Sequence, residues 1–589
     1  MATRSSVSGN QPLPSPLARA LRLGVTPLLI AAMFSLVSNM LYLALPIYTN
    51  QIYSRVITSQ SGATLLILSG GCAFVFIISA IIDHYRQQVL SGFGVVFDQQ
   101  LASRTFAALF DAVVRRRGTR AQALRDLDTV RQAIGGHAIA MVFDVPWIPL
   151  FMVILFIIDP TIGLVTLGGG IVLIILAYLQ DRATHEKIKE ANEAAITSYG
   201  FTDAALRNGE VVRALGMLPT IGRQWARSRY ISVSAGSEAA ERAGFYSGSI
   251  RFVRMFIQIL IIAVGAWLVV ERVIPSGLLF ANMILASRAL APLERIVGSW
   301  KSLVEAQSAY KRLDQMLLDY EPPTPVTQLP VPSGALSVEA VSFAPVGAPS
   351  LVLTNLNFRI EPGDFVGMIG PSGAGKSSLA RLMAGIWKPT AGTVRLDGAD
   401  VYSWDREDFG RHVSYQPQDT ELFAGTVRDN IARFLPNATD AQVVAAAQMA
   451  DAHDLIVRLP KGYETELGEG GAVLSAGQRQ RVGLARTLFG DPKLIILDEP
   501  NANLDPDGEA ALLAAIRRMK ERGATIILIS HKPTIFALAD KIILLINGQV
   551  AEYGPRDQVL ARFTTRTPQQ PQPQPAKAEN PAKLSEVKS

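Results

Sequence analysis

The chain has 589 residues, of which 49% are hydrophobic and 18% are charged. This length exceeds that of one ordinary domain, and the excess of apolar residues excludes a typical soluble protein. The net charge of +6 would suit nucleic acid or a membrane surface, but no nucleic-acid motif is present and the basic residues lie largely beside apolar runs, which favours a lipid bilayer as the partner.

Six apolar runs in the first half of the chain are candidates for membrane-spanning helices, because a bilayer is crossed by roughly 20 apolar residues. The predicted spans are about 24–54, 56–86, 132–158, 161–182, 252–271 and 273–297, within a transmembrane domain over 23–320. The last two runs are the shortest, and buried helices of a soluble domain are the alternative for them. An even number of spans places both ends of the chain on one side of the membrane.

The loops between these runs predict the orientation. The segment 83–131 holds eight Arg against five Asp, and the leader 1–22 carries three Arg and no acidic residue, so both are expected in the cytoplasm. The connections at 55–62, 159–160 and 271–275 are short and are expected to be external, whereas the cytoplasmic loops are long and rich in helix formers. We therefore expect the spans to continue as helices well beyond the bilayer.

The composition changes after the last span. Prolines in the segment 321–334 prevent a continuing helix and mark a linker. Residues 335–562 alternate β-branched runs with helical stretches, which predicts an α/β domain. The segment 563–589 is rich in Pro and Gln and is expected to be a disordered tail.

A nucleotide site is predicted in the α/β domain. The string from Gly370 to Ser377 fits GxxxxGK[ST], follows an apolar strand pattern and leads into a helix pattern. Backbone N–H groups of such a loop surround phosphates, Lys376 reaches the β- and γ-phosphates, and the Ser377 hydroxyl can ligate Mg²⁺. A glycine-rich turn without a ligand is the alternative. The predicted ATP-binding residues are Gly370, Pro371, Ser372, Gly373, Ala374, Gly375, Lys376, Ser377 and Ser378.

Two acidic residues, Asp498 and Glu499, follow a second apolar strand pattern. Ligand groups gather at the carboxyl ends of strands in α/β sheets. We expect Asp498 to hold Mg²⁺ and Glu499 to polarise the water that attacks the γ-phosphate. An acidic pair after a strand is a weak signal alone, but together with the phosphate loop it indicates an ATP hydrolase.

The segment 474–481 resembles the LSGGQ signature of ABC transporters. The matching signature residues are Leu474, Ser475, Ala476, Gly477 and Gln478. Gln418 resembles the Q-loop glutamine of this family and His531 its switch histidine, and the residues that resemble its D-loop are Asn503, Leu504 and Asp505. Together with the spans, these motifs resemble a half-size ABC exporter. The implied fold is an α-helical six-span transmembrane domain, like that of type I ABC exporters, followed by an α/β P-loop ATPase domain.

The resemblance implies a role for each matching residue. Glu499, His531 and Gln418 would be the catalytic group acting on ATP, and Mg²⁺ would be held by Ser377, Gln418 and Asp498. In this family the signature contacts the ATP that the opposite subunit's P-loop holds, so one ATP domain per chain implies a partner. Because every catalytic position is intact, the implied partner is a second copy, in a homodimer.

Two positions depart from the family pattern. Ala476 replaces the usual second glycine of the signature. Ala344 takes the slot where many exporters place an aromatic ring under adenine, and the neighbouring Phe343 is the candidate substitute.

Further segments resemble the ATPases of type I secretion systems of the protease- and lipase-exporting kind. They are residues 44–56, 143–149, 474–481 and 500–505, with Ser54 standing where an acidic residue is expected. This resemblance implies export of unfolded polypeptide across a bacterial inner membrane. Because the leader before the first span is too short for a peptidase domain, the cargo is expected to keep an uncleaved C-terminal signal. The implied partners are a periplasmic adaptor protein and an outer-membrane channel protein.

Three other functions share part of this pattern. A lipid or small-peptide exporter has the same ATP-site residues. A soluble ABC ATPase that acts on nucleic acid or ribosomes is disfavoured by the six spans, and an importer is disfavoured because importers usually carry the spans and the ATP domain on separate chains.

Charged residues in or beside the spans are candidates for the cargo path, because charge inside a membrane is costly and often functional. They are Asp144, Arg288, Glu294 and Arg295. The alternative is that Asp144 lies at the inner interface and the others in a cytoplasmic helical extension. The segment 202–216 is the candidate element that couples the ATP domain to the spans, with a plain extension of an exposed helix as the alternative.

Overall fold

The computed structural model describes residues 15–115, 122–321, 329–502 and 504–566. The chain forms two compact units, Met1–Glu321 and Pro322–Ser589. Several parts of the sequence predictions lie outside the described residues: 1–14 of the leader, 322–328 of the linker, Asn503 of the D-loop and 567–589 of the tail.

The first unit is helical. Its helices are α1 (Pro16–Leu23), α2 (Val25–Leu41), α3 (Ala44–Gln51), α4 (Ile57–Ser59), α5 (Gly62–Val114), α6 (Gln122–Gly135), α7 (His137–Val142), α8 (Ile148–Ile158), α9 (Pro160–Arg207), α10 (Gly209–Ala214), α11 (Leu218–Val270), α12 (Ser276–Gly298) and α13 (Trp300–Asp319). Within the described residues, six helical segments are long and apolar enough to cross a membrane, which confirms the predicted six-span helical domain. They are Val25–Ser59, Gly62–Val114, Ile139–Ile158, Pro160–Arg207, Leu218–Val270 and Ser276–Gly298.

Three of these segments are much longer than a bilayer requires. Helices α5 and α11 have 53 residues each and α9 has 48, which at about 1.5 Å per residue is roughly 70–80 Å. The hydrocarbon core of a bilayer is about 30 Å thick. Each of these helices therefore has a long portion outside the membrane, as the sequence predicts.

The first turn between spans lies at residues 60–61, within the connection predicted at 55–62 but later than the boundary at Arg55 between the two predicted spans. The chain stays helical past Arg55 through a π-helical segment, Ile52–Val56, and ends at Ser59. Gln60 then adopts a left-handed conformation with φ of 51°, and the Ser61 hydroxyl accepts a hydrogen bond from the Thr64 amide as the N-cap of α5. Arg55 lies inside this π-helical segment, so one charged residue did not end the helix.

The third predicted span, 132–158, is interrupted. Helix α6 ends at Gly135, and between α7 and α8 the chain makes a turn and a short 3₁₀ segment, Val145–Trp147. Pro146 and Pro149 favour this break, because a proline interrupts helical hydrogen bonds. The break places Asp144 at a helix junction. The span ends at Asp159, whose carboxylate caps α9 by accepting hydrogen bonds from the amides of Thr161 and Ile162.

The second unit is α/β and contains two sheets. Its strands are β1 (Leu336–Phe343), β2 (Leu353–Ile360), β3 (Phe365–Ile369), β4 (Ala391–Leu396), β5 (Ala399–Asp400), β6 (Val413–Gln416), β7 (Leu494–Asp498), β8 (Thr525–Ile529), β9 (Lys541–Ile546) and β10 (Gln549–Pro555). A four-stranded antiparallel sheet has the order β2-β1-β4-β5, and a six-stranded sheet has the order β10-β9-β3-β8-β7-β6. In the larger sheet, strands β9, β3, β8, β7 and β6 run parallel.

Helices cover both faces of the larger sheet. They are α14 (Lys376–Met383), α15 (Arg406–His412), α16 (Val427–Ile431), α17 (Asp440–Met449), α18 (His453–Val457), α19 (Ala476–Leu488), α20 (Pro506–Glu521) and α21 (Arg556–Arg566). The central strands β3, β7 and β8 are buried at every residue, as expected for parallel strands with both faces covered. This confirms the predicted α/β P-loop ATPase domain.

Candidate functional site

The predicted ATP-site residues meet at the carboxyl edge of the larger sheet. The phosphate loop follows β3, the acidic pair ends β7, and His531 follows β8 by two residues. Gln418 lies two residues beyond β6 at the same edge. Because these strands are parallel neighbours, their carboxyl ends are at one side of the sheet, where ligands bind in α/β folds.

Backbone conformation explains the glycines of the phosphate loop. Gly370, Gly373 and Gly375 have φ of 154°, 80° and 97°, a region that residues with a Cβ rarely adopt. A Cβ on Gly370 would also lie 2.1 Å from the Leu545 carbonyl oxygen. The loop ends at α14, which starts at Lys376 and therefore presents its N-terminus to the site. The Lys376 ammonium donates hydrogen bonds to the carbonyls of Gly370 and Pro371, at 2.9 Å and 3.0 Å.

Asp498 is the most buried acidic residue of the site, at 1% exposure. Its Oδ1 atom accepts a hydrogen bond from the Ser377 hydroxyl at 3.1 Å, while its Oδ2 atom is buried and has no hydrogen-bond partner among the described residues. Burial raises the pKa of Asp498, and the hydrogen bond from Ser377 acts in the opposite direction. An acceptor oxygen that is desolvated and unpaired is costly, and a bound cation removes that cost.

Burial shifts the pKa of Lys376 in the direction opposite to that of Asp498. Burial lowers the pKa of its ammonium, while the nearby carboxylates of Glu499 and Asp498 act to raise it. Its present partners in the loop are neutral carbonyl oxygens. The loop therefore holds a partly desolvated cation ready for an anionic group.

Glu499 joins the other two predicted catalytic residues. One carboxylate oxygen accepts a hydrogen bond from the Gln418 amide at 3.1 Å, and the other lies 3.0 Å from His531 Nε2. The backbone of Glu499 is left-handed, with φ of 49°, and its amide donates to the Ile529 carbonyl at 3.0 Å. A strained conformation at a non-glycine residue is typical of functional positions. Three residues far apart in sequence thus form one group, in which Glu499 is hydrogen-bonded to Gln418 and in contact with His531.

The signature residues form the start of α19. The Ser475 hydroxyl accepts a hydrogen bond from the Gln478 amide, and the Gln478 side chain accepts one from the Ser475 amide, which is a capping box. The outward-facing helix N-terminus is suited to an anion. All hydrogen bonds of the Ser475 and Gln478 side chains in the described structure are local, so none of them joins the signature to the phosphate loop of the same chain.

Helix α19 also contacts the segment after the acidic pair, which the sequence reasoning missed. The Gln480 amide donates a hydrogen bond to the Pro500 carbonyl, and Arg481 pairs with Asp505 at 3.4 Å. Asp505 caps α20 through the Gly508 amide, and this bond and Arg481 hold its pKa below the usual range. The repeated Gln and Arg after the signature could have indicated such contacts, but their partners become visible only once the strands are ordered.

Phe343 is not available as a free platform for adenine. It is 7% exposed and stacks on Trp387 with ring centroids 5.1 Å apart and an interplanar angle of 15°. Arg381 lies over the Trp387 ring, 4.9 Å from its centroid. The sequence suggestion that Phe343 substitutes for the missing aromatic residue is wrong, because its ring is part of the core beneath β1.

In the helical domain, Asp144 is the centre of a buried polar cluster. Its Oδ1 atom accepts hydrogen bonds from the Ser35 hydroxyl at 2.8 Å, the Asn39 amide at 3.2 Å and the Arg86 guanidinium at 3.0 Å. Arg295 lies 3.9 Å from the other oxygen. The cluster ties α2, α5 and α12 to the junction before α8. Sequence reasoning identified Asp144 but missed Ser35, Asn39 and Arg86.

We expect the Asp144→Ala variant to be destabilised by about 3 kcal/mol, because it removes the buried carboxylate that compensates the charge of the largely buried Arg86. Arg86 then keeps Asp83 as its ion-pair partner, while Ser35 and Asn39 keep the carbonyls of Phe143 and Ser35 as acceptors. The midpoint of thermal unfolding in detergent should fall clearly. The matched control is Asp128→Asn, which removes a carboxylate that is 57% exposed and pairs with Arg131 on the same helix. Equal midpoints for the two variants would show that the cluster does not stabilise the fold.

The chain matches two family models. Residues 353–502 match the model described as ABC transporter, and residues 28–292 match the model described as ABC transporter transmembrane region. The type I secretion system ATP-binding protein PrsD of Rhizobium meliloti is 40% identical over 526 residues, which cover 89% of this chain and 90% of the relative. The chain belongs to the type I secretion system ATP-binding proteins, a family of ABC transporters.

More distant relatives match most of this chain over about three quarters of their own length. The cyclolysin secretion/processing ATP-binding protein CyaB of Bordetella pertussis is 29% identical over 537 residues, covering 90% of this chain and 75% of the relative. The leukotoxin translocation ATP-binding protein LktB of Mannheimia haemolytica is 27% identical over 524 residues, covering 87% and 73%. As an ABC transporter of this family, the protein hydrolyses ATP to drive secretion.

The fold also matches a solved structure. A bacterial Atm1-family ABC exporter with ATP bound superposes with a TM-score of 0.78 at 24% identity, covering 92% of this chain and 97% of that one. At this identity the likeness concerns the fold alone, and it agrees with the six-span domain followed by an ATPase domain.

Proposed function

We propose that two copies of this type I secretion ATP-binding protein form a homodimer that exports unfolded polypeptide across a bacterial inner membrane. The observation that carries the proposal is the group formed by Glu499, Gln418 and His531 beside a complete phosphate loop. Each chain supplies this group, and in the described residues its signature makes no side-chain hydrogen bond to its own loop. A second copy would place the signature N-terminus of α19 against the phosphates and complete each site.

The residues of the group suit ATP hydrolysis. Gln418 contacts one carboxylate oxygen of Glu499 and His531 contacts the other, and together they fix the orientation of the carboxylate. Glu499 is therefore positioned to accept a proton from the attacking water. His531 is half-exposed and can turn towards the γ-phosphate once ATP is bound. Lys376 exchanges its loop carbonyls for phosphate oxygens, which neutralises charge on the leaving group.

The site also fits Mg²⁺. Ser377 Oγ and the unpaired Oδ2 of Asp498 are hard oxygen donors at the start of α14 and the end of β7, and carboxylate and hydroxyl oxygens are the protein ligands that Mg²⁺ prefers. Gln418 is the third proposed ligand. When bound, the ion would neutralise part of the negative charge on the phosphates.

The turn between the two long helices α9 and α11 is the proposed coupling element. The sequence candidate 202–216 contains the short helix α10, and its surroundings expose large apolar side chains. Leu206, Leu215 and Leu218 are 72%, 71% and 69% exposed. Exposed apolar clusters at a loop tip mark a docking surface, which here would transmit closure of the ATP domains to the spans.

The names of the relatives support polypeptide as the cargo, because they refer to secretion of cyclolysin and translocation of leukotoxin. We propose that the cargo carries an uncleaved C-terminal signal. A periplasmic adaptor protein and an outer-membrane channel protein would complete the path out of the cell. The nearby alternative is export of lipid or a small peptide.

We expect the ATPase rate of the purified dimer to rise severalfold when a C-terminal fragment of a secreted protein encoded beside this chain is added. Binding of cargo to the spans favours closure, and closure completes both ATP sites. The control is the reversed sequence of the same fragment, which has equal composition and charge. Stimulation by lipid alone, with no response to any polypeptide, would replace the proposed cargo by lipid.

A further inference from the structure

A cavity of about 450 Å³ lies between the spans of the helical domain. Its walls come from α3, α8, α11 and α12 and from Tyr42 in the turn before α3, and they include apolar side chains such as Leu45, Phe151 and Met283. The same lining contains three arginines, Arg254, Arg288 and Arg295, and one acidic residue, Glu294. A volume of this size is within the range of ligand-binding pockets.

The depth of the arginines follows from helix geometry. Helix α12 starts at Ser276, next to the short loop that is predicted to be external. At about 1.5 Å per residue, Arg288 lies roughly 18 Å along the span and Arg295 roughly 28 Å. Since the hydrocarbon core is about 30 Å thick, Arg288 lies in the cytoplasmic half of the membrane and Arg295 lies near its inner boundary.

The positive charges of the cavity are incompletely compensated. Arg254 pairs with Glu294 at 3.2 Å. Among the described residues, Arg288 has no carboxylate at ion-pair distance. Arg295 reaches Asp144 at 3.9 Å, but that carboxylate already accepts the hydrogen bond of Arg86.

Arg288 keeps its hydrogen-bonding edge free. Its guanidinium stacks on Tyr42, 3.6 Å from the ring centroid, which uses the flat face of the group. Its one hydrogen bond in the described structure is to the Asn39 side-chain oxygen at 3.4 Å. A guanidinium has five N–H donors in its plane, and a stacked one is held in a fixed orientation. Most of the donors of Arg288 therefore remain available for a carboxylate.

We propose that this cavity is a docking site for acidic side chains of the exported polypeptide, with Arg288 and Arg295 as the groups that bind the carboxylate. The site rests on the proposed function and adds the chemical class of cargo segment that it recognises. A carboxylate entering from the cytoplasm meets Arg295 first and Arg288 deeper in the membrane. The apolar walls accept the neighbouring side chains of an extended chain. Asp144 has a different role, because it is enclosed in its own cluster and orients α2 and α12 around the cavity.

The test uses the full-length dimer in nanodiscs of zwitterionic lipid, with p-benzoylphenylalanine in place of Met283. The probes are two acetylated and amidated peptides of Gly, Ser and Leu that differ at one central position, Glu or Gln. The readout is the ratio of photo-crosslinking of the Glu peptide to that of the Gln peptide. Because the ratio is taken within each variant, a loss of folded protein affects both peptides equally.

We expect a ratio of at least about fivefold, since a charge-assisted hydrogen bond to guanidinium is stronger than a neutral one. The double variant Arg288→Gln and Arg295→Gln should bring the ratio close to one. The control Arg251→Gln, which removes an exposed arginine of α11 outside the cavity lining, should leave it unchanged. In Arg288→Glu, a peptide with Lys at the central position should crosslink better than the Glu peptide.

Equal crosslinking of both peptides in the protein with its arginines intact would overturn the docking site and leave the proposed function standing. Crosslinking to anionic lipid added to the nanodisc, or to the second copy of the chain, in preference to either peptide would also overturn it. If neither peptide crosslinks and neither raises ATPase activity while lipid does, the proposed polypeptide cargo fails as well.

Discussion

The Glu499→Gln variant should hydrolyse ATP at least about a hundredfold more slowly than the unchanged protein. The amide keeps the size of the side chain and can remain between Gln418 and His531, but it cannot accept the proton of the attacking water. ATP binding should persist, because the phosphate loop and Asp498 are untouched. The measurements are steady-state phosphate release and, separately, retention of labelled ATP.

The matched control is Glu407→Gln, a carboxylate on α15 that is 78% exposed and pairs with Arg411. It should hydrolyse ATP at the unchanged rate. A Glu499→Gln protein that binds ATP and still turns it over at a similar rate would show that Glu499 is not the proton acceptor. A protein that no longer binds ATP would show that the residue acts in nucleotide binding.

Dimers that carry two different defects should reveal whether each ATP site is shared between two copies. Lys376→Ala damages the phosphate loop. Ser475→Asp damages the signature contact, because aspartate still caps α19 but repels the phosphates. If the sites are formed in trans, a dimer with one defect on each copy keeps one intact site, whereas a dimer with both defects on one copy keeps none.

Mixed dimers isolated through two different affinity tags allow this comparison. We expect the dimer with separated defects to retain a substantial part of the ATPase rate, and the dimer with both defects on one copy to fall to background. The opposite order would mean that each chain completes its own site. The homodimer of either single variant is the control and should be inactive under both arrangements.

The sequence predicted the fold and the ATP site because their signals are local. A phosphate loop, a signature and an acidic pair are short strings whose conformation is set by neighbouring residues, such as the positive φ of Gly373 and Gly375. The apolar runs likewise predicted six spans. Strands β3, β8 and β7 then bring the phosphate loop and the acidic pair to one side of the sheet, because parallel strands share one carboxyl edge.

Contacts between residues far apart in the chain could not be predicted from the sequence. Arg86 lies 58 residues from Asp144 and Ser35 lies 109 residues from it, so nothing local indicates that they meet. The sequence suggested Phe343 as a platform for adenine because it adjoins Ala344. Its ring instead stacks on Trp387, which comes from a distant segment and could not be recognised as its partner from the sequence. The helix that passes Arg55 shows the same limit, since a single charge did not fix where the span ends.

Protease protection in proteoliposomes tests the central claim most directly. The protein is reconstituted with its ATP domains outward, and a labelled C-terminal fragment of a secreted protein is added with ATP and Mg²⁺. The account predicts that ATP makes the fragment resistant to external protease, and that the Glu499→Gln protein does not protect it. A fragment that stays sensitive to protease while the same vesicles hydrolyse ATP and move lipid would contradict polypeptide export.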